Sequence, residues 1–159
     1  MIAFFFSSGW DNGQVSQFAP HCLYFASRGM TAMAFDYRVS AKHGSTPVDS
    51  MADVRSAMRW LRLNAVELGI NPGKIVGAGG SGGAHMIAAA AMVQGFDEPG
   101  EDASISCAPN ALALFNLCWT PPRRVLVTTV SFILMSQKGQ PDGGYCATSP
   151  ADLDFSRHA

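Results

Sequence analysis

The residues best placed to do chemistry form one small-residue run, Gly77-Ala78-Gly79-Gly80-Ser81-Gly82-Gly83. Two patterns overlap in it. Gly79-Gly80-Ser81-Gly82-Gly83 fits G-x-S-x-G, in which a serine occupies a strained strand-to-helix turn. The flanking glycines let neighbouring backbone approach, the hydroxyl stays exposed, and the N–H after the serine faces a developing oxyanion. Gly77, Gly79 and Gly82 also fit G-x-G-x-x-G, the dinucleotide-binding spacing. A Walker A phosphate loop is excluded, because no Lys-Ser/Thr follows the last glycine. A dinucleotide fingerprint opens the first strand-helix unit and has its acidic residue at the end of the next strand. Here the turn follows the third strand, and Asp97, Glu98, Glu101 and Asp102 fall in a loop before the fourth. Position therefore favours the serine nucleophile. Tight packing alone is the remaining reading of such a cluster.

Strands and helices alternate around this turn. Ile2–Phe6, Thr31–Tyr37, Lys74–Ala78 and Ala111–Phe115 are short apolar runs bounded by turn residues, and each predicts a strand. Phe18, Cys22 and Phe25 at helical spacing predict a helix over Ser16–Arg28, with Ser16 as N-cap and Gly29 as the stop. The polar stretch Val39–Pro47 reads as a loop. Pro47 then opens a helix to about Leu68, with Val54, Met58, Leu61, Ala65 and Leu68 on one stripe and Arg55, Arg59 and Arg62 off it. Gly82–Gln94 is a small-residue helix, with Met86, Met92 and Ala88–Ala91 expected to pack it against a sheet. Strands separated by helices pair in parallel through crossovers. The expected class is α/β, a mostly parallel sheet with helices on both faces. Beyond Asn116 the pattern weakens: Val125–Met135 could form one further strand, and Gln137–Ala159 reads as an irregular tail.

Composition bounds the rest. The chain has 159 residues, 48% apolar and 14% charged, a balance that builds a core rather than a disordered chain. A net charge of -1 leaves no basic surplus to neutralise phosphates, which excludes a nucleic-acid partner bound through a basic footprint. Cys22, Cys107, Cys118 and Cys146 lack C-x-x-C spacing, so no zinc site is indicated, and they read as buried or free thiols. The longest apolar runs are too short to span a membrane. No basic region precedes Phe4–Phe6, so no signal peptide is visible; the compartment stays open, with cytoplasmic only as the default.

The runs FDYRV (35–39), HGSTP (43–47), DVRSAMRWLR (53–62), LGINPGKIV (68–76) and GGSGGAH (79–85) together resemble the α/β-hydrolase esterase/lipase family. Within it, they are most similar to the acetyl-esterase and feruloyl-esterase-like branch. The resemblance covers residues 1–116 in continuous order. It implies part of an α/β-hydrolase fold, with the elbow at 79–83 and Ser81 as the acyl-accepting nucleophile. It also implies that the Gly82 N–H contributes to an oxyanion hole, together with Ser8 or Gly9. Tyr37, Arg38 and Asp53 match family positions and are expected to be scaffold contacts. The implied activity is hydrolysis of carboxylic esters, on short acyl or acylated-sugar substrates, with no metal or organic cofactor. A small-molecule ester is the expected partner.

Departures from the family are as informative. H-G-G-G-W is usual after the first strand matched, whereas this chain reads Phe6-Ser7-Ser8-Gly9-Trp10. The N–H groups of Ser7 and Ser8 remain possible donors, and loss of one oxyanion donor costs about 3 kcal/mol in the transition state. The family's triad runs serine, acid, histidine, and its later H-G-T-x-D segment has no counterpart here. Asp142, Asp152, Asp154 and His158 follow Ser81 in the right order but crowd the terminus, where a general base is poorly held. His85, one turn after the elbow, is expected to pack and hydrogen-bond. His43 reads as a structural or surface residue, His21 as exposed, and Trp10 as lining the site or the core. The chain therefore reads as an interior piece of a hydrolase domain (1–116) followed by an irregular segment (117–159). Its triad is incomplete, and its exposed sheet edges invite self-association. The alternatives are an inactive hydrolase fragment and, on the glycine spacing alone, a dinucleotide-binding oxidoreductase.

Overall fold

The computed structural model describes residues 1–116, with the backbone of Phe132–Ser136 and Cys146–Ala147 beyond them. Four strands, β1 (Ile2–Phe5), β2 (Ala32–Phe35), β3 (Val76–Gly80) and β4 (Ala111–Phe115), lie in parallel, and β5 (Phe132–Ser136) and β6 (Cys146–Ala147) add antiparallel pairings. The sheet order is β2-β1-β3-β4-β5-β6. The helices are α1 (Ala19–Ala26), α2 (Ser40–His43), α3 (Pro47–Leu63) and α4 (Gly82–Met92).

Side-chain alternation assigns the two faces. Phe4 stacks on Phe18 at 4.9 Å between ring centroids and meets Phe25 of α1 at 6.0 Å, so α1 covers one face. On β3, a Cβ at Gly77 or Gly79 would run into Ile87, Gly83 and Ala84 of α4, so α4 covers the other. The buried core between them includes Phe4, Phe5, Phe6, Met58, Leu61, Ile75, Met86 and Ile87.

From β1 the chain crosses to β2 on one side, then returns over the sheet to β3 on the other side of β1 and onward to β4. Neighbouring strands whose connections leave in opposite directions open a crevice at their carboxyl ends. That crevice lies between β1 and β3.

Several element boundaries depart from the periodicity. The helix expected from Ser16 begins as α1 at Ala19, after a 3-10 turn at Val15–Phe18. The Ser16 hydroxyl meets Gln14 Oε1 instead of capping. The Val39–Pro47 loop contains α2, closed by Gly44 at φ 63°. Pro47 does open α3, where Thr46 donates its N–H and its hydroxyl to Asp49 Oδ2 at 2.7 and 2.8 Å. This helix stops at Leu63 rather than Leu68 because the Asn64 amide turns back onto the Trp60 carbonyl (2.8 Å) and the chain leaves the helical path. Strand β3 runs to Gly80, two residues beyond the expected end, since its glycines remain in the ladder opposite Leu112, Leu114 and Phe115. Met92, expected to pack α4 on the sheet, is 61% exposed at the helix end.

Arg55 and Arg59, which lie off the apolar stripe, are nevertheless only 5% and 4% exposed. They reach into the segment 93–108, where Arg55 donates to Asp97 (2.7 Å) and Val93 O (2.8 Å), and Arg59 to Glu101 (2.9 Å) and Ile105 O (3.0 Å). Arg62 donates to the carbonyls of Ser106, Pro72 and Ala108. The Asp97 carboxyl is held below its ordinary range, chiefly by the Arg55 hydrogen bond, with burial opposing. No helix of the described residues is long and apolar enough to cross a membrane.

Candidate active site

Ser81 sits where β3 ends and α4 begins, at φ 47° and ψ -114°. A non-glycine residue there carries backbone strain of about 1–3 kcal/mol, sustained only if its surroundings hold it. Both sides of the residue are tied. Its N–H donates to Phe115 O at the end of β4 (2.9 Å), and its carbonyl accepts the first helical hydrogen bond of α4 from His85 N–H (2.9 Å). Close packing completes the turn. A Cβ on Gly79 would lie 2.6 Å from the Gly83 carbonyl carbon, and one on Gly83 would lie 2.3 Å from Phe5 O. Backbone meets backbone at both positions, so no side chain fits. Gly80 faces the Ser7 hydroxyl and Phe18 on the opposite side.

Because β1 and β3 pair with Phe5 opposite Gly79, the segment after β1 emerges beside the elbow. A Cβ placed on Gly82 would be 3.1 Å from Ser8 Oγ, 3.2 Å from Gly9 N and 3.6 Å from Trp10 N. The structure thus brings together Ser81, Gly82, Ser8 and Gly9. The Gly82 N–H belongs to the first turn of α4, whose amides have no intrahelical acceptor.

The amides of the 6–12 segment are not equivalent. Ser7 N–H is committed to Gln17 Oε1 (2.6 Å), which removes it from the donors expected from the sequence. Trp10 N–H is held by Ser8 Oγ (2.8 Å), and the N–H groups of Asp11 and Asn12 by Ser8 O (3.1 and 3.2 Å). The amides of Ser8 and Gly9 find no acceptor among the described residues. Gly9 and Trp10 both take left-handed conformations, at φ 56° and 64°.

Tyr37 lies directly behind this segment. It is 4% exposed, its ring stacks on Phe6 at 4.1 Å, and its hydroxyl is 2.6 Å from Phe6 O and 2.7 Å from Ser8 Oγ. Burial pushes this hydroxyl up to about 12, against the lowering effect of the Ser8 hydrogen bond and with a further rise from nearby Asp36. The sequence places Tyr37 only as scaffold; its contact with Ser8 spans 29 residues and leaves no local signal.

His85 is exposed, and its ring meets the Trp10 indole edge-on at 5.4 Å. His43 accepts Val39 N–H on Nδ1 (3.0 Å), a structural contact. His21 is exposed yet lies against Phe18 and Phe4, at 5.1 and 5.8 Å between ring centroids. Arg38 joins Asp53 (2.7 Å) and Glu98 (2.8 Å), and its pKa is raised by those hydrogen bonds, Asp53 first. Asp97, Glu98 and Glu101 are thereby occupied with arginines. Gly77 and Gly79, needed for the dinucleotide spacing, serve instead to seat α4 on β3. Asp142, Asp152, Asp154 and His158 lie outside the described residues. Among the described residues, no group of three His, Cys, Asp or Glu side chains is arranged to hold a metal ion.

Residues 1–110 match the family model BD-FAE. Solved structures of Thermogutta terrifontis esterase 2 are similar. The form phosphonylated by cyclosarin is 50% identical, with a TM-score of 0.71 over 73% of this chain and 44% of that one. The apo form is 48% identical, with a TM-score of 0.74 over 79% and 47%. The butyrate-bound form is 51% identical, with a TM-score of 0.70 over 73% and 42%. The chain therefore spans less than half the length of these structures. No curated protein matches it.

Proposed function

Because the chain belongs to the BD-FAE family, an esterase-type α/β-hydrolase domain, we propose that it carries the nucleophile and oxyanion site of a carboxylic ester hydrolase. Residues 1–116 are the hydrolase unit in this reading. Ser81 Oγ attacks the ester carbonyl carbon. The carbonyl π electrons move onto oxygen, and that charge is met by the N–H groups of Gly82 and of Ser8 or Gly9. Collapse of the tetrahedral intermediate expels the alcohol, and water releases the acid from the acyl-enzyme. A histidine must take the Ser81 proton and pass it to the departing alkoxide, and an acid must orient that histidine. We assign both to the part of the esterase fold that this chain's match does not reach. No metal or organic cofactor enters the scheme.

One observation carries this reading: Ser81 is held at φ 47° while a Cβ placed on Gly82 would lie only 3.2 Å from Gly9 N. Packing alone requires neither a non-glycine residue in that conformation nor unsatisfied amides beside it. Short acyl esters are the proposed substrates, supported by the propionate- and butyrate-bound structures of T. terrifontis esterase 2. Acylated sugars are the proposed source of such esters.

The test is labelling by a fluorophosphonate probe, read by intact mass, on the parent chain and Ser81→Ala. Stoichiometric labelling of the parent alone is expected if Ser81 is activated. No labelling of a chain shown to be folded would instead mark it as a hydrolase fragment without activity, the second reading that its limited coverage of the relatives favours.

A further inference from the structure

We propose that Tyr37 is a positioning residue for the oxyanion segment and acts on it through the Ser8 hydroxyl. Its chemical consequence rests on the ester-hydrolase reading above, but its geometry does not.

Proton counting fixes the direction of the contacts. Phe6 O can only accept, so the single Tyr37 proton goes to that carbonyl across 2.6 Å. The 2.7 Å contact between Tyr37 and Ser8 then requires Ser8 to donate its hydroxyl proton to Tyr37 Oη. That leaves a Ser8 Oγ lone pair aimed at Trp10 N–H, 2.8 Å away. The result is a directed chain: Trp10 N–H to Ser8 Oγ, Ser8 O–H to Tyr37 Oη, Tyr37 O–H to Phe6 O. Each hydroxyl both donates and accepts, so each orients the next.

The chain acts where the backbone needs it. Gly9 and Trp10 are consecutive left-handed residues, and Trp10 lacks glycine's freedom to adopt φ 64°. Trp10 O is tied to Ser40 N–H (3.0 Å), so its two backbone groups are anchored on opposite sides. Between those anchors and β1 lie the two amides without acceptors, Ser8 and Gly9, with Gly9 N near Gly82. The direction in which they point is set by the Ser8 rotamer. The Ser8 rotamer is set by Tyr37, whose ring is fixed against Phe6 at 4.1 Å. A serine where glycine is usual is therefore no obstruction, because its hydroxyl is built into the wall behind the site.

The test uses Tyr37→Phe, which keeps the ring, Ser8→Ala, which removes a half-buried hydroxyl, and the double variant, each in the 159-residue chain. With a fluorophosphonate, each single variant is expected to lower the maximal labelling rate of Ser81 about 10- to 100-fold, as for a misplaced oxyanion donor. The probe concentration giving half that rate should change by less than about twofold, since ground-state binding is untouched. The double variant should be no slower than the slower single, because both changes cut one chain. Single-variant rates within about twofold of the parent, or losses that multiply in the double variant, would overturn the proposal. Amide hydrogen exchange decides it independently of Ser81 chemistry. Trp10 N–H should exchange at least about tenfold faster in both single variants, with the β1 amides unchanged. Unchanged Trp10 exchange would overturn the positioning role. Failure of the parent to label at all would count against the esterase reading alone and leave the exchange measurement to judge Tyr37.

Discussion

Gly83→Ala should destabilise the chain although alanine is the better helix former. The added Cβ would lie 2.3 Å from Phe5 O, 2.5 Å from Phe6 O and 2.7 Å from the Phe5 carbonyl carbon. The first of these is about 1 Å short of ordinary contact. All three atoms are backbone, and β1 is paired on one side with β2 and on the other with β3, so it cannot recoil alone. Overpacking of this kind costs about 1–3 kcal/mol, and a rigid partner puts it near the upper end. Replacing a helical glycine by alanine returns up to about 1 kcal/mol. The net expectation is a loss of about 2 kcal/mol, or roughly 4–8 °C in Tm for a domain of this size. Gly82→Ala is the control. It gains similar helix propensity, and its new Cβ would come no nearer than 3.1 Å to Ser8 Oγ and 3.2 Å to Gly9 N, contacts that a shift of a few tenths of an ångström relieves. Its stability should stay within about 0.5 kcal/mol of the parent. Urea unfolding followed by far-UV circular dichroism measures both. A Gly83→Ala chain as stable as Gly82→Ala would refute the close approach of α4 to β1.

Arg59→Met strands Glu101, leaves Asp97 paired with Arg55 alone and frees the Ile105 carbonyl; urea unfolding should show a loss of about 2 kcal/mol, reduced from a fully buried pair because both acids are partly exposed. The Asp97 carboxyl titrates below its unfolded value of about 3.9, so the stability it supplies is complete above that pH and fades as pH falls through the lower folded value. Asp97→Asn should therefore flatten the acid limb of the stability curve, and an unchanged limb would contradict the assignment. Self-association is expected from β2, which among the described residues pairs only with β1, and from Leu23 and Tyr24 of the adjacent α1, 72% and 54% exposed. Light scattering checks it, and a monodisperse monomer would contradict it.

What the sequence disclosed follows from the range of each interaction. Strand β4 was legible to the residue because Ala111–Phe115 is an unbroken apolar run between Asn110 and Asn116. The Val54, Met58 and Leu61 stripe was legible because helical periodicity is local. The same periodicity reads Arg55 and Arg59 as a polar face, yet both are buried by a segment about 40 residues further on. No local pattern announces a partner at that distance. The hydroxyl chain through Tyr37 and Ser8 was hidden for the same reason. The end of β3 was misjudged because glycine reads as a turn residue, and only the helix above it shows why glycine stays in the strand.

The overlap of packing and chemistry at the elbow is a consequence of register. Residues 8–9 and 81–82 are more than 70 positions apart and meet because Phe5 pairs with Gly79 across neighbouring strands. A slip of one residue would turn Gly79 away from α4 and direct a neighbouring side chain at the helix backbone. Gly79 and Gly83 therefore hold the register that sets Gly82 against Gly9. The same β3–β4 pairing ends with Phe115 O on Ser81 N–H, which holds the serine in its strained turn. Small residues here are needed to close the sheet against its helix, and closing it is what brings the Ser81 turn beside the segment that carries the Ser8 and Gly9 amides. A glycine cluster read from sequence cannot separate a packing motif from the proposed nucleophile elbow, because in this architecture the same close packing produces both.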